Sequence, residues 1–251
     1  MLEEVRSGLP GKALVDPVAA CHPKIGIIVA PMRLFVPRWL RIFLLLAALA
    51  ALAQEIVSIT PEQIARLAAQ FGPIAKSRLT GWRDILINPK YKRLSEEDKL
   101  RLVNDFMNLT QFINDLKHWG KEDYWATPVE FLSTDGGDCE DFAIAKYFTL
   151  RALGVPDDKL RITYVKEIVI YNEAHMVLAY FPAPDAEPLV LDNINPTLLP
   201  ASRRNDLIPV YSFNGSGLWL AKEQTGRGQS VGSADRIGHW RDVQARLRAA
   251  S

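Results

Sequence analysis

The chain has 251 residues, 48% hydrophobic and 24% charged, with a formal net charge of +1. That much apolar material supports a packed core and excludes an intrinsically disordered chain, and the near-neutral balance excludes bulk nucleic-acid binding. The length allows one ordinary domain or a small pair.

The first distinctive stretch is "MRLFVPRWLRIFLLLAALAALAQE", opening at Met32. Arg33, Arg38 and Arg41 precede an apolar run from Ile42, and Ala51-Leu52-Ala53 forms an A-x-A site, so a secretory signal is expected over about residues 32–53. The run is about 12 residues, short of the roughly 20 that span a bilayer. The competing reading is an uncleaved anchor. Met32 opens a well-formed signal by itself, so the expected start is Met32 and residues 1–31 an upstream extension. An exported protein without stable membrane insertion follows. Removing residues 1–53 takes Cys21 with it and leaves Cys139 as the sole cysteine. A lone thiol in an oxidising compartment persists when it is buried or used.

Residues 54–222 are expected to form one domain. Thr60-Pro61-Glu62-Gln63 places a cap and an N1 proline before a helix to about Phe71, stopped by Gly72-Pro73. A second helical piece covers about Ala75–Leu86 and ends at Asn88-Pro89. Ser95, followed by Glu96-Glu97-Asp98, opens what reads as a long helix ending at Gly120, with Leu102, Phe106, Leu109, Ile113 and Leu116 on one buried stripe. The next helix runs from about Cys139 to Leu153, with Asp138 as N-cap, Asp141 at N3 and little polar surface behind them. Gly154 and Pro156 end it.

Then "LRITYVKEIVIY", "AHMVLAYFP", "PLVLDNI" and "LIPVYSF" read as an antiparallel sheet over Leu160–Phe213, with "GLWLAK" as a fifth strand. Residues 223–251 read as a loose tail whose Arg236–Ala249 portion forms a short amphipathic helix. Helices first and strands second make an α+β order, N-terminal helices packed on an antiparallel sheet.

Three residues could carry chemistry together. Cys139 stands at the N-terminus of a buried helix, whose dipole favours a thiolate. His175 lies in a strand and can take the thiol proton, although a strand histidine is more often structural. Asp192 ends the next strand, where it can orient the imidazole or simply form a turn. The acids around Cys139, namely Asp135, Asp138, Glu140 and Asp141, oppose thiolate formation. Helix capping accounts for Asp138 and Asp141 but not for Glu140. A zinc site is excluded by the lack of a nearby histidine, and the EF-hand pattern is absent.

The stretches "GDCEDFAIAKYFTLRALGVP", "RITYVK", "AHMVLAYF", "LVLDNI" and "LIPVYSFN" resemble the bacterial transglutaminase-like cysteine proteinases of the LapG type, over roughly Leu79 to Leu220. The resemblance implies a papain-like, transglutaminase-like fold with the nucleophile at the N-terminus of a central helix. It implies Cys139 as nucleophile, His175 as general base and acid, and Asp192 as orienting acid. Such enzymes often use a tryptophan in the oxyanion hole, here Trp125, which could equally be core or cleft lining. The resemblance also implies Ca²⁺ dependence, carried onto Asp138, Glu140 and Asp141, with Asp135 a weaker candidate. A hard-oxygen cluster suits that ion. The implied activity is periplasmic cleavage of a large surface adhesin near its N-terminus at a di-alanine site, releasing it and dispersing biofilm. An inner-membrane cyclic di-GMP receptor is the implied sequestering regulator. On the residues alone, acyl transfer by the same triad, or a binding module without turnover, stays open.

Overall fold

The computed structural model describes residues 57–220 and 228–250. The expected signal, the start at Met32 and Cys21 lie outside the described residues. Among the described residues, no helix is long and apolar enough to cross a membrane.

Helices α1 (Pro61–Phe71), α2 (Pro73–Ile87) and α3 (Pro89–Lys92) follow one another with a proline at each start. Pro73 therefore opens a helix as well as ending one, because its missing N–H costs nothing at N1. Thr60 and Gln63 make the capping box of α1.

The expected long helix after Ser95 is broken. Helix α4 (Glu96–Met107) is followed by the two-residue strand β1 (Gln111–Phe112) and the short helix α5 (Asp115–Trp119). Asn114 caps α5 by accepting the Leu116 N–H, a polar interruption that the apolar spacing conceals. The buried face of α4 centres on Leu100, Val103 and Met107; of the predicted stripe, Leu102 and Phe106 pack half-buried against that core, whereas Leu109 and Leu116 are exposed.

Helix α6 (Pro128–Thr134) leads into strand β2 (Gly136–Gly137), which pairs in parallel with β1. Asp135 between them adopts a left-handed conformation at φ 50°. The central helix α7 (Cys139–Ala152) then runs through the core, with Phe142, Ile144, Ala145 and Leu150 buried.

The sheet is antiparallel, in the order β6-β5-β4-β3-β7-β8-β9 among the described residues. Its strands are β3 (Leu160–Glu167), β4 (Ala174–Tyr180), β5 (Leu189–Leu191), β6 (Leu199–Pro200), β7 (Leu207–Phe213), β8 (Leu218–Leu220) and β9 (Gln229–Gly232). The central helix packs on β4 and β3 of this sheet, and helices with an antiparallel sheet make the expected α+β, papain-like architecture.

Two stretches depart from expectation. "EIVIY" does not continue β3: Glu167 is buried, and its carboxylate accepts the N–H groups of Val169, Ile170, Tyr171 and Asn172, folding them into a hairpin tip. The tail, expected to be loose ahead of a short helix, instead carries β9, while the expected helix forms as α8 (Gly238–Ala250). Trp240 of α8 is fully buried and stacks on Phe148 at 5.4 Å. Its large apolar surface overrides the polar composition around it.

Candidate active site

Strand β2 and helix α7 present the cysteine. Gly136 and Gly137 pass so close to their neighbours that side chains are excluded. A Cβ at Gly136 would lie 2.7 Å from Ile113 Cδ1, and one at Gly137 would lie 2.8 Å from both Asp141 Cβ and Phe131 Cδ2. The Asp141 carboxylate accepts the Ala126 N–H at 2.6 Å and the Asp138 N–H at 3.3 Å. This buried capping contact fixes the turn that ends in Cys139.

Helix α7 packs against β4, whose residue His175 is buried and lines the same cleft as Cys139. The cleft has a volume of about 490 Å³, with Phe112, Asn114, Tyr171 and Asn193 among its walls. His175 Nε2 lies 2.8 Å from Asp192 Oδ1. An ionised carboxylate only accepts, so Nε2 carries the proton and Nδ1 is left free to accept one. Asp192 Oδ1 also receives the Ile194 N–H at 3.0 Å, and Oδ2 receives Arg204 Nη2 at 2.6 Å. Burial alone would push the Asp192 carboxyl up, but the bonds from His175 and Arg204 outweigh it and hold the group well below the usual carboxylate range. Asp192 is therefore an anion at neutral pH.

The thiol is in a different position. Cys139 Sγ donates to Glu140 Oε2 at 3.1 Å. Burial first, then the Glu140 and Asp138 charges, push it well above its ordinary value. The helix dipole alone does not overcome this in a cluster so rich in acids.

That cluster is larger than the sequence suggested. Asp138, Glu140 and Asp141 are joined by Asp115, from the start of α5, and by Asp123. Asp115, Asp138 and Asp141 offer carboxylate oxygens within 4.8 Å of one another, as do Asp115, Asp123 and Glu140. Burial drives Asp115, Asp138, Glu140 and Asp141 above the ordinary carboxylate range. Asp115 Oδ1 and Asp138 Oδ1 are buried without a hydrogen-bond partner. Unpaired oxygens among crowded, buried acids fit a hard divalent cation. Asp115 and Asp123 lie on the stretch misread as one helix and its sequel, so sequence spacing gave no sign that they meet Asp138 and Glu140. Asp135 is placed elsewhere: its oxygens accept Arg78 Nε at 2.7 Å and Gln111 Nε2 at 3.3 Å.

Trp125 is buried. Its ring stacks on Phe213 at 5.7 Å and sits 5.5 Å from the His239 ring.

Residues 88–221 match the family model of the bacterial transglutaminase-like cysteine proteinases. The chain is 43% identical to the solved structure of Legionella pneumophila LapG, covering 76% of this chain and 98% of that one, with a TM-score of 0.64. A calcium-bound form of Legionella pneumophila LapG matches at 44% identity over 75% of this chain and 99% of that one, TM-score 0.64. An EGTA-treated form matches at 43% identity over 76% and 98%, TM-score 0.65. No curated protein matches the chain.

Proposed function

The chain belongs to the bacterial transglutaminase-like cysteine proteinases, and on that premise we propose that it is a calcium-dependent periplasmic endopeptidase using Cys139, His175 and Asp192. Its substrate is a large surface adhesin, cut near the N-terminus at a di-alanine site, so that cleavage releases the adhesin and disperses biofilm. An inner-membrane cyclic di-GMP receptor sequesters the enzyme. The observation that carries the proteolytic reading is the shared cleft: the thiol at the head of α7 faces the same space as His175, whose Nε2 is held by Asp192 at 2.8 Å.

The side chains suit acyl transfer to water. His175 Nδ1 accepts the thiol proton as Sγ attacks the scissile carbonyl. The imidazolium, balanced by the Asp192 anion, gives that proton to the departing amine and leaves a thioester on Cys139. A water, deprotonated by His175, then attacks the thioester and frees the thiol. The Cys139 N–H, first in its helix and without an intrahelical partner, would donate to the oxyanion.

Asp115, Asp138 and Glu140 would hold calcium, with Asp141 joining them while its oxygens also cap the loop. When bound, the ion supplies the positive charge that this acidic pocket needs beside a thiolate. The cleft suits an apolar peptide, since Phe112 and Tyr171 of its lining are each about 60% exposed. Incubation with a purified adhesin N-terminal fragment tests the reading. Two fragments meeting at a di-alanine bond are expected; crosslinked or amine-labelled products in their place would establish transfer to amines instead.

A further inference from the structure

Arg204 lies in the turn between β6 and β7 and is unusual for a charged residue, since its side chain is only 2% exposed. Nη2 donates at 2.6 Å to Asp192 Oδ2 and at 2.6 Å to Asp206 Oδ2, while Nε donates to Asp206 Oδ1 at 2.9 Å. The turn itself is tied to the sheet, because the Asp206 carbonyl accepts the Ile168 N–H at 2.9 Å. The two Asp192 oxygens are thus divided. Oδ1 serves His175 and the Ile194 N–H, and Oδ2 serves Arg204.

We infer that Arg204 is a positioning residue for the Asp192–His175 pair, fixing the carboxylate as an anion turned with Oδ1 toward the imidazole. The inference rests on the protease reading above. A carboxylate bonded on one oxygen can rotate about its Cβ–Cγ bond; a planar guanidinium on the other oxygen removes that freedom. Buried ion pairs seldom add net stability over well-packed apolar groups, so stability alone is a weak reason for a buried arginine here.

The titratable and charged groups facing Asp192 are His175 from β4, Arg204 from the turn and Lys146 from α7, with Asp206 behind Arg204 and Asp105 acting on Lys146. Burial pushes the Lys146 amine down to about 7, so its charge varies with pH. Arg204 is the partner whose charge is constant.

The test uses the full chain with calcium present and three variants: Arg204→Met, Arg204→Lys and Asp206→Asn. Alkylation of Cys139 by iodoacetamide is followed across pH by peptide mass spectrometry, alongside thermal unfolding. Arg204→Met should slow alkylation at neutral pH about tenfold and move the acid limb of the profile to higher pH, because the thiolate–imidazolium pair loses its orienting anion. Arg204→Lys should recover part of the rate, and Asp206→Asn should lose about threefold. On the adhesin fragment, kcat should fall with KM unchanged. Should Arg204→Met fail to fold, the two conservative variants decide. Rates and pH profiles for both that superimpose on wild type would overturn the inference, whatever their melting temperatures. An unreactive wild-type thiol would overturn the nucleophile assignment and this inference with it.

Discussion

The residues of the site sort by what each oxygen or nitrogen already holds. Asp141 and Asp135 have their oxygens engaged by backbone or side-chain donors, whereas Asp115 and Asp138 each retain a buried, unpartnered oxygen. This separates acids that shape the loop from acids with capacity to hold a cation. Asp138→Asn should therefore fold, yet lose calcium affinity, measurable by titration calorimetry; unchanged affinity would remove Asp138 from the ligand set. Gly137→Ala should act differently. Its Cβ would meet Asp141 and Phe131, so stability should fall by about 1–3 kcal/mol in thermal or urea unfolding. At this scale the sequence was readable for the positions of Cys139 at a helix start, His175 in a strand and Asp192 at a strand end, because such element ends announce themselves locally. Arg204 and Asp115 were not readable. Their roles depend on contacts with residues 12 and 23 positions away, Asp192 and Asp138 respectively, and neither has a local signature.

At the scale of elements, periodicity succeeded where one element is continuous and failed where polar capping intervenes. Helix α7 begins and ends as its capping residues and glycine dictate. The supposed helix to Gly120 fails because Asn108 closes α4 and Asn114 starts α5, placing Leu109 and Leu116 in solvent. The expected run of β3 through Tyr171 fails for a related reason. Glu167 supplies an internal acceptor for four successive N–H groups, which a strand pattern of apolar residues does not reveal. The result is a tip with Val169 and Ile170 exposed beside the cleft wall residue Tyr171. Replacing both Val169 and Ile170 by serine should leave stability within about 0.5 kcal/mol, as at other exposed sites. If the tip contacts the substrate, KM on an adhesin fragment rises severalfold while iodoacetamide alkylation of Cys139 is unchanged. An unaltered KM would place peptide binding elsewhere.

At the scale of the molecule, buried acids couple the site to folding. Asp138 and Glu140 are held above the ordinary carboxylate range, so without a cation the folded state binds more protons than the unfolded one. Stability of the chelated protein should then fall as pH rises from the ordinary carboxylate range through neutrality. Calcium should flatten that dependence, because it binds the ionised acids of the folded state. Melting temperatures measured in EGTA and in calcium, from about pH 5 to about pH 8, check the sign. A chelated protein that gains stability over this range would contradict it.

On the proposed function, Cys139 becomes a competent nucleophile only with a cation among its neighbouring acids. Cleavage of the adhesin N-terminal fragment, followed in calcium and in excess EGTA for wild type and Cys139→Ala, tests it most directly. Wild type should cleave in calcium, lose cleavage in EGTA and regain it on added calcium, and Cys139→Ala should not cleave. Full cleavage in EGTA, or turnover by Cys139→Ala near the wild-type rate, would contradict it.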